Sequence, residues 1–215
     1  MITIYRDSGT IKKSIGASLA IGLGCIVLLK APLVLGAILF AFGLLTVCIR
    51  KLNLFTGMCG YARILQGKEL KNYIILLTKV LVINIISSWI IGYTAAVGAP
   101  GLKELAQTKI STWSNNILEL LVPSFFCGVI MYIAVDMYRK NKSVLGILLG
   151  VPLFLYSGFH HCIANATYLG MSGSFDYRLI IMVLGNLIGS LFIAWLTYNK
   201  VKEAKQEEKD FTEEQ

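Results

Sequence analysis

Between about residues 33 and 65 the chain is apolar for longer than one membrane-crossing helix requires, and that run is interrupted near its middle. A bilayer core is spanned by about 20 apolar residues in helical form. The interruption reads Arg50-Lys51-Leu52-Asn53-Leu54-Phe55-Thr56-Gly57. Two charges with Asn, Thr and Gly are poor neighbours for lipid. Non-helical backbone at membrane depth is tolerated only where protein buries it or where it lines a cavity. The pattern therefore predicts two half-helices joined by a re-entrant loop. A second apolar stretch, about 143–171, is disturbed in the same way by Ser157-Gly158-Phe159-His160-His161-Cys162-Ile163-Ala164-Asn165-Ala166, which holds the only two histidines. Ionisable groups at that depth are costly and face a bundle interior or a water-filled path.

Composition sets the solvent. Hydrophobic residues make up 56% of the 215 positions and charged residues only 15%, whereas soluble domains carry about 25% charge. The chain reads as an integral membrane protein with little mass outside the bilayer. Its net charge of +8 falls mostly in short loops, where it orients spans and marks no nucleic-acid surface. The polar lead Met1 to Lys13 runs into a full-length apolar segment without a small-residue cleavage site, so no cleaved signal is expected. Cys25, Cys48, Cys59, Cys127 and Cys162 are scattered singly, without CxxC or metal spacing. They read as buried thiols, and neither metal nor cofactor is expected.

Taken in order, the spans fall at about 14–31, 33–65 (broken), 72–97, 117–138, 143–171 (broken) and 179–198, with a polar connection at 101–116 and a charged cytoplasmic tail at 199–215. Residues 1–198 form a single channel domain. Gly16, Ala20 and Gly24 give the first span a small face for close helix contact. Lysines and arginines sorted by alternating sides place both termini in the cytoplasm with six spans. Three spans are then followed by three of opposite starting side, each half with a broken middle element. The fold class is all-α integral membrane, an inverted 3+3 repeat whose site lies near the midplane. Thr56 falls in one break and His161 in the other.

Half-helix N-termini bring partial positive charge to such a centre, and a histidine there can donate a hydrogen bond or a proton. A small anion, or the weak acid formed by protonating it, is the natural cargo. A pore for a small neutral solute such as water, urea or ammonia remains open as an alternative. Haem ligation is disfavoured, because adjacent His160 and His161 project apart and no histidine lies on another span. A Ser157–His161 hydrolase lacks an orienting third group. The chain is read as a channel, not an enzyme.

Three motifs in order resemble the formate/nitrite transporter family: Leu54-Phe55-Thr56-Gly57, Gly158-Phe159-His160-His161-Cys162-Ile163-Ala164-Asn165, and Gly185-Asn186-Leu187-Ile188-Gly189. Ala134-Val135 matches the end of the family's fourth-span element, and the likeness covers about 14–198. The resemblance implies an aquaporin-like protomer, a homopentamer in a cell inner (plasma) membrane, and small monovalent anions such as formate, nitrite or hydrosulfide as substrates, carried passively or linked to protons. It implies that His161 is the central histidine, that Thr56 hydrogen-bonds near it, and that Asn165 and Asn186 line the pore centre. It places Phe40, Leu44 and Phe154 at the apolar constrictions, and Lys109 at a vestibule lysine, with a spacing to Gly128 a few residues too long.

The departures are as informative. His160 stands where the family keeps Glu. Asn53 stands where it keeps an acid, Met58 where it has Asn, and Gly128 at the fourth-span asparagine position. Arg50 and Lys51 replace small or neutral residues. Losing acids at 53 and 160 while gaining bases at 50 and 51 would strengthen anion attraction. The alternative is that Arg50 and Lys51 point into an oligomer interface and pair with Asp136 or Glu119.

Overall fold

The computed structural model describes residues 9–197, and all regular structure among them is helical. Helix α1 runs Thr10–Lys30 and α2 Leu33–Ile49. Between them Ala31 is extended, at φ −95° and ψ 157°, because Pro32 bars the residue before it from helical geometry. Helix α3 is a single turn, Phe55–Met58, continued by a 3-10 segment, Cys59–Ile64. Helix α4 is the longest, Gly67–Gly98. The polar connection after it holds a short helix of its own, α5, Leu102–Ser111. Then come α6 (Ile117–Asn141), α7 (Leu145–Tyr156), α8 (Cys162–Ser172) and α9 (Arg178–Thr197). Among the described residues α1, α4, α6 and α9 are long and apolar enough to cross a membrane, while α2 and α7 are apolar but shorter. The tail at 199–215 lies outside the described residues.

Helices α2 and α7 end alike. At the end of α2, Lys51 N–H donates to Cys48 O (3.2 Å) and Leu52 N–H to Val47 O (2.9 Å). At the end of α7, Gly158 N–H donates to Leu155 O (3.2 Å) and Phe159 N–H to Phe154 O (3.0 Å). Both are Schellman closures, which require one residue in left-handed geometry. Gly158 supplies it at φ +70°, and Lys51 does so at φ +51° despite its side chain. Arg50 and Lys51 thus sit at the C-terminus of α2, where a helix dipole favours cations.

The outer layer is knitted by backbone-to-backbone contact. Helix α9 lies on α6, and α4 on α8. Where α9 crosses α6, Gly189 lies against the Phe125 carbonyl and Gly128 against the Asn186 carbonyl. Where α8 crosses α4, Gly92 lies against the Thr167 carbonyl and Gly170 against that of Trp89. Any side chain at these four positions would meet backbone. Such close approach is how helices associate when lipid removes the hydrophobic drive between them. On α1, Gly24 accepts the Phe40 ring of α2, and Ala20 meets Gly43.

Candidate functional site

The site is built where helical hydrogen bonding stops and resumes. His161 caps the N-terminus of α8: its Nδ1 accepts from Ala164 N–H at 3.1 Å. A ring nitrogen that accepts carries no proton, so the neutral imidazole holds its hydrogen on Nε2. Nε2 lies 2.8 Å from Thr56 Oγ1. The ring therefore donates to the threonine, and the Thr56 hydroxyl hydrogen is left to point at a further acceptor. Both residues are buried, with His161 2% exposed and Thr56 fully enclosed.

An apolar wall adjoins this pair. The Phe154 ring lies 5.9 Å from the His161 ring, and Phe40 meets Phe154 edge-on at 6.0 Å. Phe40, Phe154 and His161 form one contiguous run of rings, with Leu44 buried one turn beyond Phe40 on α2.

Two asparagine amides hold the interrupted backbone. Asn186 on α9 accepts from Cys162 N–H (2.9 Å) and donates to His160 O (2.8 Å) and Ser124 O (2.7 Å). Asn84 on α4 accepts from Phe55 N–H (2.9 Å) and donates to Asn53 O (3.2 Å) and Ser14 O (2.9 Å). The two arrangements correspond residue for residue: Asn53 with His160, Phe55 with Cys162, Ser14 with Ser124. The same register pairs Leu54 with His161, and Thr56 with Ile163. His161 and Thr56 are neighbours in space but not counterparts.

Sequence reasoning gave Asn84 no role. Its signal was an amide inside an apolar span, with nothing to show which segments it would serve. Either Asn84→Ala or Asn186→Ala leaves one buried N–H and two carbonyls without this partner. Each is expected to destabilise the protein by roughly 2–4 kcal/mol, read as an earlier melting transition in detergent. Melting within a degree of the unmodified protein would remove the bracing role.

The remaining candidates lie further out. Asn165 sits one turn along α8, and its Nδ2 turns toward Met182 Sδ on α9 at 2.9 Å. Arg50 and Lys51 are exposed. Asn53 N–H reaches Lys13 O at 3.3 Å, which sets their loop level with the first turns of α1. Neither pairs with Asp136, which takes Tyr61 Oη–H (3.1 Å) and Lys140 (3.2 Å), nor with Glu119, which accepts from Ser114. His160 is half-buried, its ring 6.2 Å from that of Trp113, and Lys109 and Arg178 are the charges that act on it. All five cysteines are free thiols, four of them buried. No cluster of metal-ligating side chains occurs among the described residues.

The fold has known counterparts. A pentameric formate channel with formate bound superposes with a TM-score of 0.71 at 22% identity, over 89% of this chain and 97% of that one. An FNT family ion channel superposes with a TM-score of 0.73 at 20% identity, over 89% of this chain and 91% of its own. At such identity the likeness is one of fold. No curated protein sequence matches the chain. The sequence profile of the formate/nitrite transporter family matches residues 8–198. That span takes in every helix described above, and the chain is a membrane protein belonging to the formate/nitrite transporter family.

Proposed function

We propose that the protein is a channel for small monovalent weak-acid anions of the formate, nitrite or hydrosulfide class, with Thr56 and His161 at its centre. The observation that carries this reading is the 2.8 Å contact between Thr56 Oγ1 and His161 Nε2, with the ring's other nitrogen already committed to Ala164. That commitment fixes the direction of donation, from imidazole to threonine to whatever the threonine faces. An anion oxygen suits the last place.

The chemistry follows from solvation. A bare anion in an apolar constriction loses far more hydration than its neutral acid does. As the path narrows past Phe40, Leu44 and Phe154, the anion's proton affinity rises, because burial disfavours the charged form. His161 assists by holding the Thr56 hydroxyl as a donor to the species in transit. Placing a second proton on Nδ1 would require release of the Ala164 cap. The ring as held is therefore a hydrogen-bond donor, and the proton that neutralises the anion comes from water in the vestibule.

The architecture assigned here has six spans. Helix α1, α2 with α3, and α4 make one half; α6, α7 with α8, and α9 make an inverted second half of an aquaporin-like protomer. The matched Schellman closures and matched asparagine braces support it. Basic loops put both termini in the cytoplasm of a cell whose inner membrane holds the protein. A homopentamer is inferred from the similar formate channel, which is pentameric. The apolar groove of α6 and α9 lined by Leu121, Val122, Phe125, Phe126 and Ile188 would face lipid or a neighbouring protomer. Asn186 serves as a brace behind the pore, and Asn165 lines α8 beyond His161.

Uptake of labelled formate into proteoliposomes tests this function. Saturable uptake that accelerates when the outside is acidified is the expected result. Absence of both anion current and acid-coupled uptake, with raised water or urea permeability, would replace the reading by a neutral-solute pore.

A further inference from the structure

Helix α3, which carries Thr56, is a single turn, and a single turn does not hold itself. Helix nucleation fixes several dihedrals for one hydrogen bond, so short isolated helices are unstable. The winding also changes directly after Thr56. Met58, at φ −110° and ψ −27°, joins α3 to the 3-10 segment Cys59–Ile64, and a switch from α to 3-10 geometry is a place where a chain hinges. Yet Thr56 Oγ1 stands 2.8 Å from His161 Nε2, and a hydrogen bond weakens steeply when its partners move out of line.

Two side chains of one helix hold the turn at its two ends. Asn84 accepts from Phe55 N–H at the start (2.9 Å), and Tyr73 Oη–H donates to Met58 O at the end (2.9 Å). Both project from α4. Tyr73, Leu77, Val80 and Asn84 are buried along one face of that helix, about three turns from first to last. Cys59 Sγ–H donates to Phe55 O (3.0 Å), which tightens the turn without tying it to a neighbouring helix.

The second half of the fold is built differently. His161 leads into α8, whose 11 residues carry their own ladder of hydrogen bonds and are buried throughout. In the register that pairs Asn84 with Asn186, Tyr73 falls opposite Phe175. Phe175 precedes α9, is 83% exposed and stacks on Trp89 at 5.0 Å. It has no hydroxyl to give. The Tyr73 bond is thus an addition to the Thr56 half, where the short turn needs it.

We propose that Tyr73 is a positioning residue for transport: its hydroxyl, through Met58 O, fixes the α3 turn so that Thr56 Oγ1 stays within reach of His161 Nε2. The inference rests on Thr56 and His161 forming the centre of the anion path. Tyr61 provides the contrast. It is also buried, but it lies beyond the change of winding and donates to Asp136 Oδ1 on α6 (3.1 Å).

The test reads the Thr56–His161 bond directly, by magnetic resonance of the full chain carrying isotope-labelled histidine in lipid. The chain has two histidines, and His161→Ala identifies the His161 resonances by their loss. A hydrogen-bonded Nε2–H proton resonates downfield and returns upfield as its bond lengthens. Tyr73→Phe is expected to move it upfield and to lower formate uptake about fivefold, the order of one lost hydrogen bond. Tyr61→Phe should leave the resonance in place. In a Thr56→Ala background Tyr73→Phe should move it no further, because the bond it aligns has gone. The positioning role is overturned by an unmoved resonance in Tyr73→Phe, by equal shifts in Tyr73→Phe and Tyr61→Phe, or by a shift that persists without the Thr56 hydroxyl. A shifted resonance with undiminished uptake overturns it as well. The expected shifts in a protein that carries no formate keep Tyr73 as the anchor of Thr56 and remove the transport reading; uptake with an unmoved resonance does the reverse.

Discussion

Replacing His161 with alanine is expected to lower acid-coupled anion uptake by at least about tenfold. One side chain meets three demands. It caps α8 through Nδ1, it donates to Thr56 through Nε2, and it closes the ring run with Phe154. Losing an N-cap costs about 1 kcal/mol, and stranding a buried hydroxyl costs about 1–3 kcal/mol; each 1.4 kcal/mol is a factor of ten. His161→Asn separates the demands, because asparagine retains a capping acceptor while losing the imidazole Nε2. The asparagine variant should melt near the unmodified protein yet carry anions no better than the alanine variant. Labelled formate uptake under an imposed pH gradient reads both. An alanine variant with undiminished uptake would remove His161 from the mechanism.

Gly189→Ala is expected to have the largest effect on folding, with Gly128→Ala close behind. A methyl group at 189 would occupy the place of the Phe125 carbonyl, and one at 128 that of the Asn186 carbonyl. Neither obstacle is a flexible side-chain end, so α6 and α9 must separate. Overpacking of this kind costs about 3 kcal/mol or more, which lowers melting by roughly 6–12 °C in a chain of this size. Separation of the helices also withdraws the Asn186 amide from Cys162 and His160. Gly98→Ala is the control, because nothing lies within 4 Å of its added carbon. Equal melting temperatures for Gly189→Ala and Gly98→Ala would mean the crossing has slack that the geometry denies.

How much of this was legible beforehand depends on the distance over which each residue acts. Thr56 and His161 stand out because polar groups in apolar runs carry a large penalty that one sequence window can detect. Asn84 could not be interpreted that way, since its meaning lies in Ser14, Asn53 and Phe55, up to seventy positions away. Trp113 carries no signal in the sequence, because what sets it apart is a buried nitrogen without an acceptor. The placement of Arg50 and Lys51 was illegible for a simpler reason. Counted along the chain they fall mid-run. But the 17 residues of α2 rise about 26 Å, and this brings the two bases down to the level of Lys13 at a helix end that favours positive charge. The Schellman closure at Lys51 carried no glycine to announce it, unlike its counterpart at Gly158. The short helix α5 was hidden within a polar connection whose composition resembles coil.

The two asparagine braces also bear on bioenergetics. Interrupted backbone in a membrane must find partners, and ordered water is the usual supplier. Here amides supply them: Phe55 N–H and Asn53 O turn to Asn84, Cys162 N–H and His160 O to Asn186. A centre satisfied in this manner needs no file of water molecules across it. Without such a file there is no relay for free protons to hop along. Under the function proposed above, a weak acid then crosses without opening a path for free protons beside it.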